Sequence, residues 1–327
     1  MPPFPVSDHC DGRRFFNPRG RLQARSFLSL PKWWFQTAVL GQGTAWPRHA
    51  PPPAMPRLPA SVPAGQVAVT FIGHATFLLQ WPGLNVLTDP MFSRRAGPFG
   101  WAGPARVRPP ALSLPELPRI DAVILSHNHY DHLDLPSLRW LARERPAPII
   151  TTLGNQAWLA ARGIGRALEL DWWQSHHGAG GLEVTCTPAQ HFAARAPWDR
   201  CRSLWGGFAL KAGKATIYFA GDTGYCDAFG EIGTRLGPVG LALLPIGAYA
   251  PRWFMEPVHC SPAEAVRIHR DVGARRSLAM HFGTFKLTDE GLDDPPRELA
   301  AAGTAAGLAP DEFAVPGFGE TRFVPLA

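Results

Sequence analysis

From about residue 66 onwards, short apolar runs alternate with clusters of Gly, Pro, Asp and His. Apolar runs that are closed by such residues are typical of β-strands with both faces buried. The pattern predicts strands at residues 67–72, 77–80, 84–88, 120–126, 147–152, 182–187, 207–211, 215–220, 240–245 and 277–281. This part of the chain is therefore predicted to be rich in β-sheet.

Helices are predicted mainly in the second half of this pattern. Asp134 precedes the run LPSLRWLARER, which indicates an N-capped helix of about three turns, and residues 155–162 predict another. A third helix starts at Ser261, which is followed by proline and forms a capping box with Glu264, and it stops at Gly273. Leading strands and later helices favour sheets sandwiched by helices over a doubly wound parallel sheet.

Residues 1–60 differ from the rest of the chain in composition and in hydrophobic pattern. They hold 11 of the 35 prolines and show no periodicity, which predicts an irregular extension lying over a single folded domain at 61–327. The extension also contains an aromatic patch at Trp33, Trp34 and Phe35. Two interpretations stay open: the patch contacts a lipid surface with the help of nearby basic residues, or it packs onto the body.

Composition and charge exclude several classes of protein. With 46% hydrophobic and 18% charged residues, the chain is neither disordered nor an integral membrane protein, and no apolar run reaches the ~18 residues of a spanning helix. The net charge of +6 arises within residues 1–60, which contain eight basic and two acidic residues. The basic residues are Arg13, Arg14, Arg19, Arg21, Arg25, Lys32, Arg48 and Arg57. Because the rest is neutral, nucleic acid is not an expected partner.

The five cysteines form an odd set without a CxxC pair, and no signal-type segment opens the chain. Both features predict a reducing, cytoplasmic setting. Peripheral contact with the inner face of the membrane is compatible with that location.

The most informative stretch is HNHYDHLD, which starts at His127 directly after an apolar strand. It places His127, His129, Asp131 and His132 within six residues, and imidazole and carboxylate groups suit zinc and other first-row divalent ions. His127 and His129 point the same way from an extended segment, whereas Asp131 and His132 follow the turn. The four residues therefore indicate two ions, and a merely histidine-rich surface loop is the weaker interpretation.

Three later residues occupy the same local context. His191 follows one predicted strand, Asp222 follows the run ATIYFAG, and His281 ends the run SLAM. Each alone is compatible with a buried polar residue that is satisfied by hydrogen bonds. Together with the HxHxDH segment they predict a metal site where strand-end loops gather at one edge of the sheets.

The order HxHxDH, His, Asp, His resembles the metallo-β-lactamase superfamily, and more narrowly the family of N-acylphosphatidylethanolamine-hydrolysing phospholipases D. The matching stretches are GHAT at 73–76, LTDP at 87–90, SHNHYDHLD at 126–134, LDWW at 170–173, PAQH at 188–191, FAGDTGYC at 219–226 and PIGAYAPRWFM at 245–255. The likeness is good over about residues 66–290 and weak over the extension. HxHxDH specifies only the superfamily, whereas the run at 245–255 points to the family.

The resemblance implies a metallo-β-lactamase fold, a four-layer αββα sandwich with two zinc ions, or other divalent first-row ions, at one edge of the two sheets. The implied ligands are His127, His129 and His191 for one ion, Asp131, His132 and His281 for the other, and Asp222 for both. Two ions ~3.5–4 Å apart share a hydroxide and stabilise charge on the attacking and leaving oxygens. The implied reaction is attack of that hydroxide on the phosphorus of N-acylphosphatidylethanolamine or a related glycerophospholipid, giving phosphatidic acid and an N-acylethanolamine.

Three more candidates have two interpretations each. His259 matches a family histidine that assists at the substrate phosphate as an acid or a positioning donor, or it is a structural residue at the start of a helix. Arg252 pairs with a substrate phosphate or with a buried carboxylate. Tyr249 lines the substrate pocket or packs in the core.

Residues around the motif are expected to support it. Asp134 orients a ligand histidine, caps the following helix, or does both. His74 and Asp89 stand at strand ends and are expected to hold the site together rather than to bind metal.

Alternative functions come from other classes. A lactonase or another soluble-ester hydrolase fits the same metal motif, a nuclease fits it less well, and a non-catalytic lipid-binding module would keep the fold without turnover. The expected partner is a phospholipid substrate, and a homodimer stays open.

Overall fold

The computed structural model describes residues 3–18, 23–214 and 216–325. Arg19 and Arg21 of the basic extension lie outside the described residues, as does residue 215 at the start of a predicted strand. The strands are β1 (Val6–Ser7), β2 (Cys10–Asp11), β3 (Gln66–Gly73), β4 (Thr76–Trp81), β5 (Leu84–Thr88), β6 (Ala122–Leu125), β7 (Ile149–Thr152), β8 (Ala167–Leu170), β9 (Ser175–His177), β10 (Glu183–Thr187), β11 (Gly207–Lys211), β12 (Thr216–Phe219), β13 (Val239–Pro245), β14 (Ser277–Met280), β15 (Phe313–Ala314) and β16 (Thr321–Pro325).

Two seven-stranded sheets face each other. The first has the order β16-β3-β4-β5-β6-β7-β8 and the second the order β15-β14-β13-β12-β11-β10-β9, while β1 and β2 pair separately. The α-helices are α1 (Leu30–Trp34), α2 (Leu135–Glu144), α3 (Gln156–Ala160), α4 (Ala228–Leu236), α5 (Arg252–Met255), α6 (Pro262–Asp271) and α7 (Asp294–Ala305).

Strands in the middle of each sheet are buried on both faces, which explains their continuous apolar runs. In β6, Ile124 joins the core between the sheets, whereas Val123 and Leu125 join a second core that also holds Leu138 and Leu141 of α2. On the other side, residues of α4 and α6 cover the second sheet. The layers therefore follow the αββα order that the resemblance implies, and this prediction is confirmed.

All ten predicted strands are present, with their ends shifted by at most two residues. The three predicted helices are α2, α3 and α6, and the capping box of α6 forms: Ser261 Oγ accepts from the Glu264 amide, and Glu264 Oε2 accepts from the Ser261 amide. The sequence pattern did not predict β1, β2, β8, β9, β15 and β16, nor the helices α1, α4, α5 and α7; β1 and β2 lie in the extension that was predicted to be irregular.

The N-terminal extension contacts the body along much of its described length. Phe15 is buried in the core between the sheets, and Trp33 donates from Nε1 to Asp289 Oδ2 at 2.7 Å. Trp34, the next residue, is 66% exposed. Each interpretation therefore fits part of the aromatic patch, because the Trp33 indole is anchored on the body whereas the Trp34 indole is exposed.

Among the described residues, no helix combines the length and the apolar character needed to cross a lipid bilayer. All five cysteines are free thiols. Cys186 and Cys260 are buried among apolar side chains and act there as small hydrophobic residues.

Candidate metal centre

The topology explains why distant residues meet at one place. In the first sheet β3, β5 and β6 run in one direction, and in the second sheet β10, β12 and β14 share a direction. The carboxyl ends of each set therefore lie at one edge of their sheet. The residues that follow these six strands are His74, Asp89, the HxHxDH segment, His191, Asp222 and His281.

One group of ring nitrogens comes from His127, His129 and His191. His129 Nδ1 lies 2.9 Å from His127 Nε2 and 3.2 Å from His191 Nε2. His127 and His191 are fully buried, and His129 is partly accessible. Three imidazole nitrogens that converge on so small a space are suited to holding a divalent ion.

A second group lies beside the first and contains carboxylate as well as imidazole. Asp131 Oδ2 is 3.3 Å from His281 Nε2, 3.5 Å from His132 Nε2 and 3.0 Å from His74 Nε2. All four side chains are buried and meet the spacing that one ion requires. His74 thus contacts the Asp131 carboxylate directly, which fits the expected supporting role, and its spacing also fits a metal ligand.

Asp222 stands between the two groups. Its Oδ2 atom is 3.1 Å from His132 Nε2 and 3.0 Å from His281 Nε2 in one group, and 3.9 Å from both His127 Nε2 and His191 Nε2 in the other. The other carboxylate oxygen, Oδ1, is buried without a hydrogen bond. Asp222 therefore lies within reach of the candidate ligands of both groups.

Hydrogen bonds at Nδ1 direct the Nε2 atoms of three histidines inwards. His191 Nδ1 donates to the Val258 carbonyl at 2.8 Å, and His132 Nδ1 donates to Asp89 Oδ2 at 2.6 Å. His127 Nδ1 faces Ser126 Oγ at 2.9 Å, and that hydroxyl itself donates to Asp89. When these rings are neutral, the contacts hold the proton on Nδ1, so that each Nε2 has a lone pair for a metal.

The two groups differ in charge. Burial lowers the pKa of His129 to about 3 and that of His191 to about 4, so both rings are neutral near pH 7. Burial also opposes protonation of His281, but the carboxylates of Asp222 and Asp131 raise its pKa to about 9. Against the effect of burial, His132 and His281 hold the pKa of Asp222 well below its usual range. Metal binding at the second group would therefore release protons.

The donor set fits divalent metal ions. His132 Nε2 and Asp222 Oδ1 are buried polar atoms without a hydrogen-bond partner, and such atoms are costly unless something binds them. Neutral imidazole and ionised carboxylate are the ligand forms that zinc takes. The same seven residues were singled out in the sequence, and the structure brings all of them together.

Comparison with known proteins agrees with this geometry. Residues 84–282 match the model of a β-lactamase superfamily domain. The chain belongs to the metallo-β-lactamase superfamily. It is also 30% identical over 245 residues to a metal-dependent hydrolase of Rubrobacter xylanophilus, covering 72% of this chain and 90% of that protein.

Within the superfamily, the resemblance to one family is confirmed. The chain is 40% identical over 228 residues to the N-acyl-phosphatidylethanolamine-hydrolyzing phospholipase D 1 of Caenorhabditis elegans, a match that covers 67% of this chain. It spans 64% of the length of that relative. Among solved structures, the isothiocyanate hydrolase from Delia radicum gut bacteria is 25% identical with a TM-score of 0.61, covering 78% of this chain and 98% of its own. The metallo-β-lactamase fold is thus confirmed, and the likenesses support a metal-dependent hydrolase.

The structure separates the alternatives for Arg252 and Tyr249. Arg252 donates to the His259 carbonyl at 2.8 Å and to Glu264 Oε2 at 2.8 Å, so its guanidinium forms the ion-pair alternative. Tyr249 is buried and does not line the cavity at the metal centre. Neither side chain lines the cavity at the metal centre.

His259 and Asp134 have different outcomes. His259 lines the cavity beside Asp222, with its Nδ1 atom buried and without a partner, and burial lowers its pKa well below the usual value. Asp134 accepts hydrogen bonds from the amides of Phe92 and Ser93 and from side-chain hydroxyls. Asp134 therefore stabilises the loop that contains Phe92 and Ser93. It does not contact a ligand histidine, and its side chain does not cap the α2 backbone.

The sequence did not reveal the walls of the site. A cavity of about 250 Å³ opens onto His129, Asp131 and Asp222. Arg25 and Arg200 border it, and its apolar lining is Ala24, Leu30, Trp33, Phe192, Phe254, Met255, Val258 and Leu287. These residues come from the extension and from three separate loops, so no single local motif predicts the lining. The signals available in the sequence were the aromatic patch at Trp33 and the run at 245–255, which contains Phe254 and Met255.

Proposed function

We propose that the chain is a phosphodiesterase of the phospholipase D type that uses two divalent ions, zinc foremost, to hydrolyse N-acylphosphatidylethanolamine or a related glycerophospholipid. The observation that carries the proposal is the position of Asp222 Oδ2, within 3.9 Å of histidine nitrogens from both groups. One group would be held by His127, His129 and His191, the other by Asp131, His132 and His281. Bound ions would supply Lewis acidity and a nucleophile at neutral pH.

The chain's own residues prepare the site for a phosphodiester. Asp89, Ser126 and the Val258 carbonyl orient the metal-facing imidazoles, and His74 orients Asp131. His259 is neutral near pH 7 because burial lowers its pKa, so it would donate a hydrogen bond to a phosphoryl oxygen as an uncharged imidazole.

The walls of the cavity favour a lipid over a small polar ester. Trp33, Phe192 and Phe254 supply apolar surface beside the carboxylates, and Arg25 and Arg200 supply positive charge. A substrate with acyl chains and an anionic phosphodiester matches both features. The relatives named for N-acylphosphatidylethanolamine hydrolysis support the same substrate class.

The decisive experiment compares turnover of N-acylphosphatidylethanolamine, phosphatidylethanolamine, a lactone and a generic phosphodiester, with metal quantified in the same preparation. Preference for the N-acylated lipid at about two ions per chain supports the proposal. Turnover of the lactone alone would support the lactonase, and metal binding without any turnover would support a lipid-binding module. Asp222→Asn should lose activity and metal, whereas Asp311→Asn at an exposed carboxylate should lose neither.

We also propose that the extension brings the cavity to a lipid surface. Leu28 and Trp34 are 89% and 66% exposed, and the adjacent Trp33 lines the cavity. Exposed aromatic and aliphatic side chains beside Arg25 and Lys32 suit the boundary of an anionic membrane. The variant Leu28→Ser/Trp34→Ser should float less with anionic vesicles than Val6→Ser, whose residue is equally exposed but lies in β1. Equal flotation of both variants would refute the role.

A further inference from the structure

A second cavity lies next to the metal-binding loop. Tyr130, which stands between His129 and Asp131, does not line the metal centre but lines this separate cavity of about 360 Å³. Four arginines line it as well: Arg95, Arg139, Arg162 and Arg195. We call these four residues, with Tyr130 and Trp158, the arginine pocket. None of the seven candidate metal ligands borders it.

Aromatic rings and guanidinium groups alternate through the arginine pocket. The guanidinium carbon of Arg195 lies 3.8 Å from the ring centre of Tyr130 and 4.9 Å from that of Trp158, and Arg162 lies 3.7 Å from the Trp158 ring centre. Stacking of this kind fixes the plane of each guanidinium and leaves its edge for hydrogen bonds. Arg195 donates two such bonds through Nη1, while its Nε and Nη2 atoms have no partner in the described part of the chain.

The positive charge of the arginine pocket is offset only in part, by the carboxylates of Asp134 and Asp199, which act on Arg195 electrostatically. Among the described residues, no carboxylate lies within ion-pair distance of any of its four arginines. The acidic residue of the cavity lining, Asp134, already accepts hydrogen bonds from the amides of Phe92 and Ser93 and from the hydroxyls of Ser93 and Ser137. Four arginines around one cavity repel each other unless an anion joins them.

We propose that the arginine pocket binds a phosphate group. Planar guanidinium forks match the oxygens of phosphate and bind them through paired hydrogen bonds. The cavity is large enough for a phosphomonoester with a small organic part, and Phe99 at its rim is 81% exposed and stacks on Trp101. A soluble phosphate ester and the head group of a phosphatidic acid share this chemistry. The proposal does not depend on the reaction at the metal centre.

The bound phosphate would act on the metal-binding loop through Arg195. The Nη1 atom of Arg195 donates to the carbonyls of Asn128 at 2.8 Å and Leu133 at 2.9 Å, at the two ends of the segment that carries His129, Asp131 and His132. An anion that immobilises Arg195 therefore stiffens the backbone between these carbonyls. A stiffer loop also slows metal loss. By linkage, phosphate in the arginine pocket tightens metal binding, and metal tightens phosphate binding by the same factor.

The test uses full-length, metal-loaded protein and isothermal titration with glycerol 3-phosphate, alongside flotation with phosphatidylcholine vesicles with and without phosphatidic acid. Arg139→Gln/Arg162→Gln should weaken binding about tenfold or more, because charge-assisted hydrogen bonds are lost. Arg143→Gln is the matched control, since Arg143 lies on the same helix as Arg139 but pairs with Glu144. Circular dichroism confirms that each variant is folded.

Asp222→Asn distinguishes phosphate bound at the metal centre from phosphate bound in the arginine pocket. It should remove the binding at the metal centre, whereas the arginine-dependent binding should persist, weakened only by the lost coupling to metal. Arginine-dependent binding of glycerol 3-phosphate establishes a soluble ligand, and arginine-dependent binding of phosphatidic acid vesicles alone establishes a lipid head group. In either case the ligand should slow zinc loss to a chelator in the wild type and not in Arg139→Gln/Arg162→Gln. If the double variant binds both probes as the wild type does, the arginine pocket is not a phosphate site.

Discussion

At the scale of single residues, Asp89 connects the two histidine groups of the metal centre. Its Oδ2 atom accepts from His132 Nδ1 and from Ser126 Oγ, both at 2.6 Å, and Oδ1 accepts from the Ser126 amide at 2.8 Å. Ser126 Oγ in turn contacts His127 Nδ1. One carboxylate thus orients a ring in each group, with the Nε2 atoms left to face Asp222.

Replacing Asp89 by Asn is expected to weaken metal binding about 10- to 100-fold, because the amide brings a donor where His132 and Ser126 need an acceptor. The dissociation constant is measured by competition with a chromophoric chelator. Asp134→Asn is the matched control: it loses hydrogen bonds to Phe92 and Ser93, yet Asp134 contacts no ligand histidine. Equal metal affinity in both variants would contradict the role of Asp89.

At the scale of elements, the turn after β12 brings the second sheet against the first. Gly221 adopts φ +60°, and a Cβ atom there would lie 2.8 Å from Ser126 Cβ and 2.9 Å from the Gly206 carbonyl oxygen. Asp222 is the next residue in the chain. The absence of a side chain at Gly221 therefore allows Asp222 to reach the histidines of the first sheet.

Gly221→Ala should lower both metal content and stability, because the added methyl group pushes Asp222 away from the HxHxDH loop. Gly273→Ala serves as the comparison, since Gly273 has φ +63° but a Cβ atom there meets nothing within 4 Å. Gly273→Ala should cost only the left-handed backbone strain of about 1–2 kcal/mol, without a steric clash, and it should retain metal. Urea denaturation and metal analysis report the two effects. Normal metal content in Gly221→Ala would show that the turn tolerates a side chain.

His9, which lies between β1 and β2, binds this pair of strands to the body of the protein. His9 Nε2 lies 2.8 Å from Asp171 Oδ1, its Nδ1 lies 2.6 Å from Asp8 Oδ1, and its ring stacks on Trp172. Burial lowers the pKa of His9, but Asp171 and Asp8 outweigh it and raise the pKa above 6.5. Protonated His9 therefore stabilises the fold.

Because the pKa is higher in the folded chain, this contribution is fully present below pH 6.5 and is lost as the pH rises through the folded value. The difference in unfolding free energy between the wild type and His9→Gln should thus be greatest in mild acid and shrink towards alkaline pH. His49→Gln, which removes a histidine at an exposed position, serves as the control variant. A difference that is constant with pH would mean that His9 acts by packing alone.

At the scale of the whole molecule, the metal centre depends on both sheets. His127, His129 and His132 follow β6 in the first sheet, whereas His191 and His281 follow strands of the second. A metal bound by this set joins the two halves of the sandwich, so it binds the folded chain far better than the unfolded one.

Zinc is therefore expected to stabilise the entire fold, by about 2.7 kcal/mol at a free concentration 100 times its dissociation constant. Denaturation with and without zinc measures the gain. His281→Gln should lose most of it, and His177→Gln, an exposed position on the edge strand β9, should keep it. An unchanged gain in His281→Gln would place the stabilising ion elsewhere.

Four of the six strands that the sequence pattern did not predict share a place in the fold, and the other two, β1 and β2, form a separate pair in the extension. β8 and β16 are the edges of the first sheet, and β9 and β15 are the edges of the second. Edge strands have one unpaired side and less burial, so β9 reads Ser-His-His and β16 includes Pro325, a residue that sheet interiors exclude. Helix α4 was not predicted because Gly230 and Gly233 interrupt its apolar pattern. In the structure, the missing side chain at Gly233 lets α6 approach α4 closely.

The sequence by itself determined the inner strands, three helices and all seven candidate metal ligands, because strand burial and ligand chemistry leave local patterns. Only the tertiary structure decided that Arg252 pairs with Glu264, that Trp33 is anchored while Trp34 is exposed, and that arginines gather behind Tyr130. Those outcomes depend on contacts between residues far apart in the chain. Their geometry follows from how the two sheets and their loops pack, which no local pattern records.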